Sequence, residues 1–119
     1  MITFMYIDLY ETLKNGNGFS VNCDGAEPTD GFMVSTNKDT EYAVKLEDLT
    51  PTAVAHYIEK HMFELSDPDN YLGGWVDDGI VYLDISTNIS TIEEAASLGY
   101  SANQKAIWDV KNKESIYLQ

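Results

Sequence analysis

The stretch YLGGWVDDGIVYLDI (residues 71–85) constrains the fold more than any other part of this chain. Asp78-Gly79 stands between two runs of apolar and aromatic residues. An Asp-Gly pair in that position favours the two-residue turn that joins antiparallel strands. Folded about the pair, Leu72, Gly74 and Val76 share a face, as do Val81, Leu83 and Ile85 across the turn, because side chains alternate along a strand. Trp75 and Tyr82 fall on the opposite face.

Other short segments follow the same pattern. FSVNC alternates Phe19, Val21 and Cys23 against Ser20 and Asn22, and reads as a half-buried strand. KNGNG (14–18) turns the chain before it, and DGAEPTDG (24–31) is a loop after it. FMVST and EYAVKL are two more strands, with NKDT (37–40) expected as their hairpin loop. KAIWDV and ESIYLQ form a last hairpin around residues 111–113. Residues 3–9 also read as a strand, being rich in Ile, Thr, Phe and Tyr. Ile2, Met5, Leu9 and Leu13 fit a helical stripe almost as well.

Two helices stand out. In LTPTAVAHYIEKHMFEL, Thr50 is placed to cap and Pro51 to open the helix. Val54, Tyr57, Ile58, His61, Met62 and Leu65 recur at three and four residues and form its apolar face. SDPDN (66–70) ends it. In NISTIEEAASLG, Ser90 and Glu93 have the spacing of a capping box, and Gly99 suits a left-handed C-terminal position. Many short strands with few helices predict one α+β domain over residues 1–119. Its sheet is mostly antiparallel, of about five to seven strands, with two helices packed on one face.

Charge narrows the function. The 119 residues carry 20 acids against seven lysines and no arginine, a net charge of -13. That field repels nucleic acid and anionic membranes and attracts basic surfaces. It exceeds the roughly 2–8 units that serve the solubility of a small domain. Without arginine the usual bidentate clamp for phosphate is missing, which argues against nucleotide enzymes. No apolar run approaches the roughly 20 residues of a membrane span. The first residues lack the basic region and cleavage site of a signal peptide. Cys23 is alone, so no internal disulfide or cysteine metal cluster is expected, and the cytoplasm is the default compartment.

Catalytic and metal signatures are weak. His56 and His61 are five apart, against the three or four of a helical metal pair, and a partly buried, satisfied His61 is expected. Asp67 and Asp69 begin like a calcium loop, but Tyr71, Leu72 and Asp78 occupy its fifth, sixth and twelfth positions, where an oxygen ligand, glycine and glutamate belong. An Asp-capped turn fits better. Some pairs among 20 acids lie close by chance, and no pair is marked for acid–base work. Neither a metal nor a cofactor is expected. The aromatics Tyr71, Trp75, Tyr82, Tyr100, Trp108 and Tyr117 lie mostly on strands, several beside acids, as with Trp75 and Asp77 or Tyr82 and Asp84. Exposed aromatics rimmed by carboxylates suit a protein interface.

The segments NGNGFSVN, EPTDGFMVS, YLGGWVDDGIVYLDIS and NQKAIWDV resemble a set of small, acidic, mostly uncharacterised proteins carried by phages and mobile elements of bacteria. The resemblance spans most of the chain and rests on strand and turn residues, so no functional residue is carried over. It implies a setting in which such proteins inhibit host defence, as anti-CRISPR and anti-restriction proteins do, some by presenting carboxylates in place of DNA phosphates. The expectation is a non-enzymatic DNA mimic that occupies the basic DNA-binding surface of a bacterial defence nuclease. Asp67, Asp69, Asp77, Asp78 and Glu114 are the expected contact acids, with Trp75 as anchor. The alternative is a structural or accessory phage or plasmid protein, dimeric through a strand edge; a small hydrolase is the remainder.

Overall fold

The Asp-Gly hairpin becomes the longest pairing in the protein. A computed structural model describes residues 6–36 and 38–118. In it β4 (Asn70–Asp77) and β5 (Ile80–Ile89) pair from Asp77↔Ile80 to Asn70↔Thr87. Asp78 and Gly79 both adopt positive φ, 51° and 75°, as the tight turn requires.

The other strands assemble on this ribbon. β1 (Phe19–Val21) pairs with β4. On the far edge of β5, β2 (Phe32–Val34) pairs with Thr87–Ile89, and β3 (Tyr42–Lys45) pairs with Ile80–Leu83. β6 (Ala106–Asp109) pairs with β2, and β7 (Glu114–Tyr117) pairs with β6. All pairings are antiparallel, in one seven-stranded sheet ordered β1-β4-β5-β2-β6-β7 with β3 beside β5. The α+β class therefore stands.

The expected hairpin of β2 and β3 does not form. Both run antiparallel to β5, one after the other along the same edge, so the chain continues in one direction instead of reversing. A short 3-10 turn at Lys38–Thr40 makes the jog between them; Asn37 lies outside the described residues.

The strand expected over residues 3–9 is also corrected. Residues 3–5 lie outside the described residues, and Tyr6–Lys14 is a helix, α1. Leu9 and Leu13, one turn apart, point into the core, while Asp8 and Glu11 stay in solvent. That four-residue spacing outweighs the β-propensity of the side chains before it.

Thr50 and Pro51 open α2 (Pro51–Lys60) as expected, the Thr50 hydroxyl accepting from the Ala53 amide at 3.1 Å. The helix breaks at His61 (φ -108°, ψ 24°) and restarts as a single turn, α3 (Met62–Leu65). The break turns Met62 off the expected apolar face into solvent, while Leu65 stays buried. In α4 (Ile92–Ser101) the cap is Thr91, one residue beyond the expected Ser90, with its hydroxyl accepting from the Glu94 amide. Gly99 is not the helix terminus: it sits inside α4, where an added Cβ would lie 2.8 Å from Leu118 and 2.9 Å from Ile107. Its lack of a side chain lets α4 lie close on β6. Asn103, with φ 59°, takes the left-handed position instead.

Register shows that the helices share one face of the sheet. Val81, Leu83 and Ile85 of β5 and Leu72 of β4 pack against α1, α2 and α3, around Leu9, Leu13, Val54, Ile58 and Leu65. Further along the same face, Val34, Ala95 and Ile107 join α4 to β2 and β6. Truncating any of the fully buried leucines to alanine costs about 2–5 kcal/mol on the usual scale for such cavities. No described element packs on the other face. No helix is long and apolar enough to cross a membrane among the described residues.

Candidate functional site: an acidic belt and an open sheet face

The six expected contact residues separate into three places. Asp67 and Asp69 lie in the turn before β4, where the Asp67 carboxylate accepts from the Asp69 amide at 2.9 Å, the expected Asp-capped turn. Asp77 and Asp78 lie at the other end of β4, about 25 Å away at the rise of a strand. Glu114 opens β7 at the Asp67 end of the sheet, and Trp75 lies on the open face.

At the Asp67 end, backbone and side-chain bonds tie four segments into a belt. The Asn22 side chain donates to the Pro68 carbonyl at 3.3 Å, the Asn88 amide to the Asp69 carbonyl at 2.9 Å, and the Asn88 side chain to the Asp30 carbonyl at 2.9 Å. The Val110 amide donates to the Gly31 carbonyl at 3.1 Å, which brings in the β6–β7 turn. The belt displays exposed Asp24, Glu27, Asp30, Asp67, Asp69 and Glu114. Residues 22–31 and 66–70 hold the first five of these and no lysine; Lys111 and Lys113 stand on the β6–β7 turn. Asp109 in that turn is buried and accepts from the Asn112 amide and side chain at 3.1 and 2.8 Å. Those bonds hold its carboxyl below the usual range. Phe63, on α3 beside the belt, is 89% exposed.

The hairpin tip is electrostatically different. Asp78 borders a shallow hollow together with Lys14, Lys45 and Glu47, two cations and two anions. The Lys14 ammonium donates to the Leu46 carbonyl at 2.7 Å, and the Leu46 amide donates to the Gly79 carbonyl at 2.9 Å.

On the open face, Trp75 stacks on Tyr82 with ring centres 5.4 Å apart and planes 18° apart. A groove of about 650 Å³ runs from Trp75 to Trp108, which are 40% and 42% exposed. Its floor is mostly of small residues, Ser20, Gly73, Ser86, Ser35, Ala106 and Ser115, with Met33 buried among them. Asp84 is the one ionisable group among its lining residues. Burial, and then the charge of Glu41 on the neighbouring segment, push its carboxyl up to about 7 against a hydrogen bond from Ser86. The carboxylate fills the space above Gly73, where an added Cβ would stand 2.6 Å from its oxygen.

A smaller cavity of about 230 Å³ between α2 and the Lys38–Thr40 turn is bordered by both histidines. His61 is buried, as expected, its ring centre 4.5 Å from that of Tyr57 and its Nδ1 3.9 Å from Glu64. Among the described residues no group of three His, Cys, Asp or Glu side chains could hold a metal ion.

Sequence reasoning missed Asp24, Glu27, Asp30, Phe63 and Asp84 as site residues. Phe63 carried a signal, since it is the apolar residue out of phase with the stripe through Val54, Tyr57, Ile58, His61 and Leu65. Asp84 carried only its alternation with Tyr82. Searches of protein-family models, curated proteins and solved structures return no match to this chain.

Proposed function

We propose that this chain is a non-enzymatic binding protein that occupies a basic, DNA-binding surface of a bacterial defence nuclease complex and competes there with DNA, in the cytoplasm of the host cell. The observation that carries this reading is the acidic belt. Six exposed carboxylates spread across the ends of β1 to β7, about 24 Å at the usual strand spacing. That leaves about 5 Å between neighbouring carboxylates, a row of charge on the scale of the roughly 3.4 Å spacing along one strand of duplex DNA. Phe63 beside the belt offers the apolar anchor that charge alone lacks, since interface energy concentrates in a few large buried side chains. In this reading Asp67, Asp69 and Glu114 act in the belt, whereas Asp77 and Asp78, at the other end of β4, lie outside it.

The test is retention of host proteins on the immobilised chain at low salt, with and without competing duplex DNA. The reading expects a DNA-binding or nuclease component among the retained proteins, released by the duplex and by salt. Retention that duplex DNA leaves unchanged would overturn it.

One observation favours a second reading, an accessory protein that dimerises through a strand edge. β7 ends the sheet paired on one side only among the described residues, and Tyr117 beside that edge is exposed. Exposed edges of this kind pair readily with another chain. A mass that doubles with concentration, and reverts when a proline replaces Tyr117, whose N–H faces away from β6, would support that assembly.

A further inference from the structure

We infer that the open sheet face is a second binding site, separate from the belt: a groove that takes a lysine or arginine side chain from a partner protein, with the cation on Asp84 and its stem against the Trp75–Tyr82 pair. The face is built neither to be covered nor simply to be solvated. A face that packs under another layer carries large apolar side chains throughout, and a solvated one carries long polar and charged side chains. This one has a floor mostly of glycine, serine and alanine, with Met33 the one large apolar side chain buried in it, between two exposed tryptophans, and it leaves about 650 Å³ open.

Its charge specifies the occupant. Asp84 is the only charge-bearing side chain lining the groove, and among the described residues no lysine forms an ion pair with it. Glu41, exposed on the segment facing it, adds a second negative charge to the same neighbourhood. A partly buried carboxylate beside a like charge is costly alone and is stabilised when a cation with hydrogen-bond donors reaches it. The stacked Trp75–Tyr82 pair lies beside Asp84, where it can attract the same cation and bury its apolar stem, while Trp108 bounds the far end of the groove. Gly73 matters because any side chain there would displace the carboxylate. An anionic or neutral occupant would bring Asp84 no counter-charge beyond its hydrogen bond from Ser86.

The site can be probed with the blocked pentapeptides Gly-Gly-Arg-Gly-Gly and Gly-Gly-Lys-Gly-Gly, each against the same peptide with norleucine at its centre. Titration followed by amide and indole chemical shifts should move Gly73, Ser86 and the indoles of Trp75 and Trp108 with the cationic peptides only. Asp84→Asn should weaken that binding by about tenfold or more, the loss of a charge-assisted hydrogen bond. Trp108→Ala should weaken it less, and Asp67→Asn with Asp69→Asn should leave it unchanged. The inference fails if norleucine binds as well as arginine or if Asp84→Asn binds equally. It also fails if the shifts map to residues 22–31 and 66–70, or if sedimentation shows this face closed on a second copy of the chain. Since belt and groove variants are scored separately, failure here leaves the belt reading standing.

Discussion

Asp84 shows how one side chain records an environment that its sequence neighbours conceal. Its place beside Tyr82 put it on the open face, but its burial depends on Gly73, on Ser86 and on Glu41 from a distant segment. Because burial and the Glu41 charge raise its carboxyl from 3.8 to about 7, the folded state keeps a proton that the unfolded chain has lost across that interval. The folded state binds more protons there, so this group's contribution to stability falls as pH rises through the window. Asp84→Asn should therefore unfold at a higher urea concentration than the parent near pH 8, by about 2–4 kcal/mol, with the gap closing toward pH 4. Equal midpoints at pH 8 would show that the carboxylate is not desolvated. Phe63 makes the opposite case, a large apolar side chain that the fold does not use. Phe63→Ala should change stability by no more than about 0.5 kcal/mol, as surface substitutions do, while reducing retention of the DNA-binding partner. A large loss of stability instead would return Phe63 to the core.

At the level of elements, legibility followed the distance over which each decision is made. The β4–β5 hairpin was readable because Asp78-Gly79 fixes its turn, and side-chain alternation then fixes which residues share a face. The capped start of α2 was readable for the same reason. Thr50→Ala should cost about 1 kcal/mol, read as a lower urea midpoint with unchanged slope. What the chain did not reveal locally was the relation of β2 to β3, because both take their partner from β5, much later in the sequence. α1 was ambiguous because its first residues suit a strand by composition, while Ile2, Met5, Leu9 and Leu13 fit a helical stripe almost as well. Gly99 misled by position: near the end of a helix a glycine suggests termination, whereas here it is where α4 touches the sheet. Gly99→Leu should cost about 1–3 kcal/mol through overpacking against Ile107 and Leu118. A neutral result would mean that α4 lies farther from β6.

Across the whole molecule, net charge was legible at once and its placement was not. Half of the expected contact residues, Asp67, Asp69 and Glu114, come together at one end of the sheet, but only because β1, β4, β2 and the β6–β7 turn all present loops there. Asp77 and Asp78, equally acidic in sequence, fall at the far end, where Asp78 shares a hollow with Lys14, Lys45 and Glu47. A charge of -13 also opposes compaction, so added salt should raise the melting temperature in dilute buffer even as it weakens partner binding. The most direct measurement compares two variants that each remove five exposed carboxylates. One neutralises the belt: Asp24→Asn, Glu27→Gln, Asp30→Asn, Asp67→Asn and Asp69→Asn. The other neutralises the helices: Asp8→Asn, Glu11→Gln, Glu59→Gln, Glu93→Gln and Glu94→Gln. Each is titrated against a retained DNA-binding host protein at one ionic strength, with duplex DNA as competitor. Placement of charge in the belt predicts a loss of affinity of about tenfold or more for the belt variant and about twofold or less for the helix variant. Equal losses from the two variants would contradict it, and would assign the acidity to solubility alone.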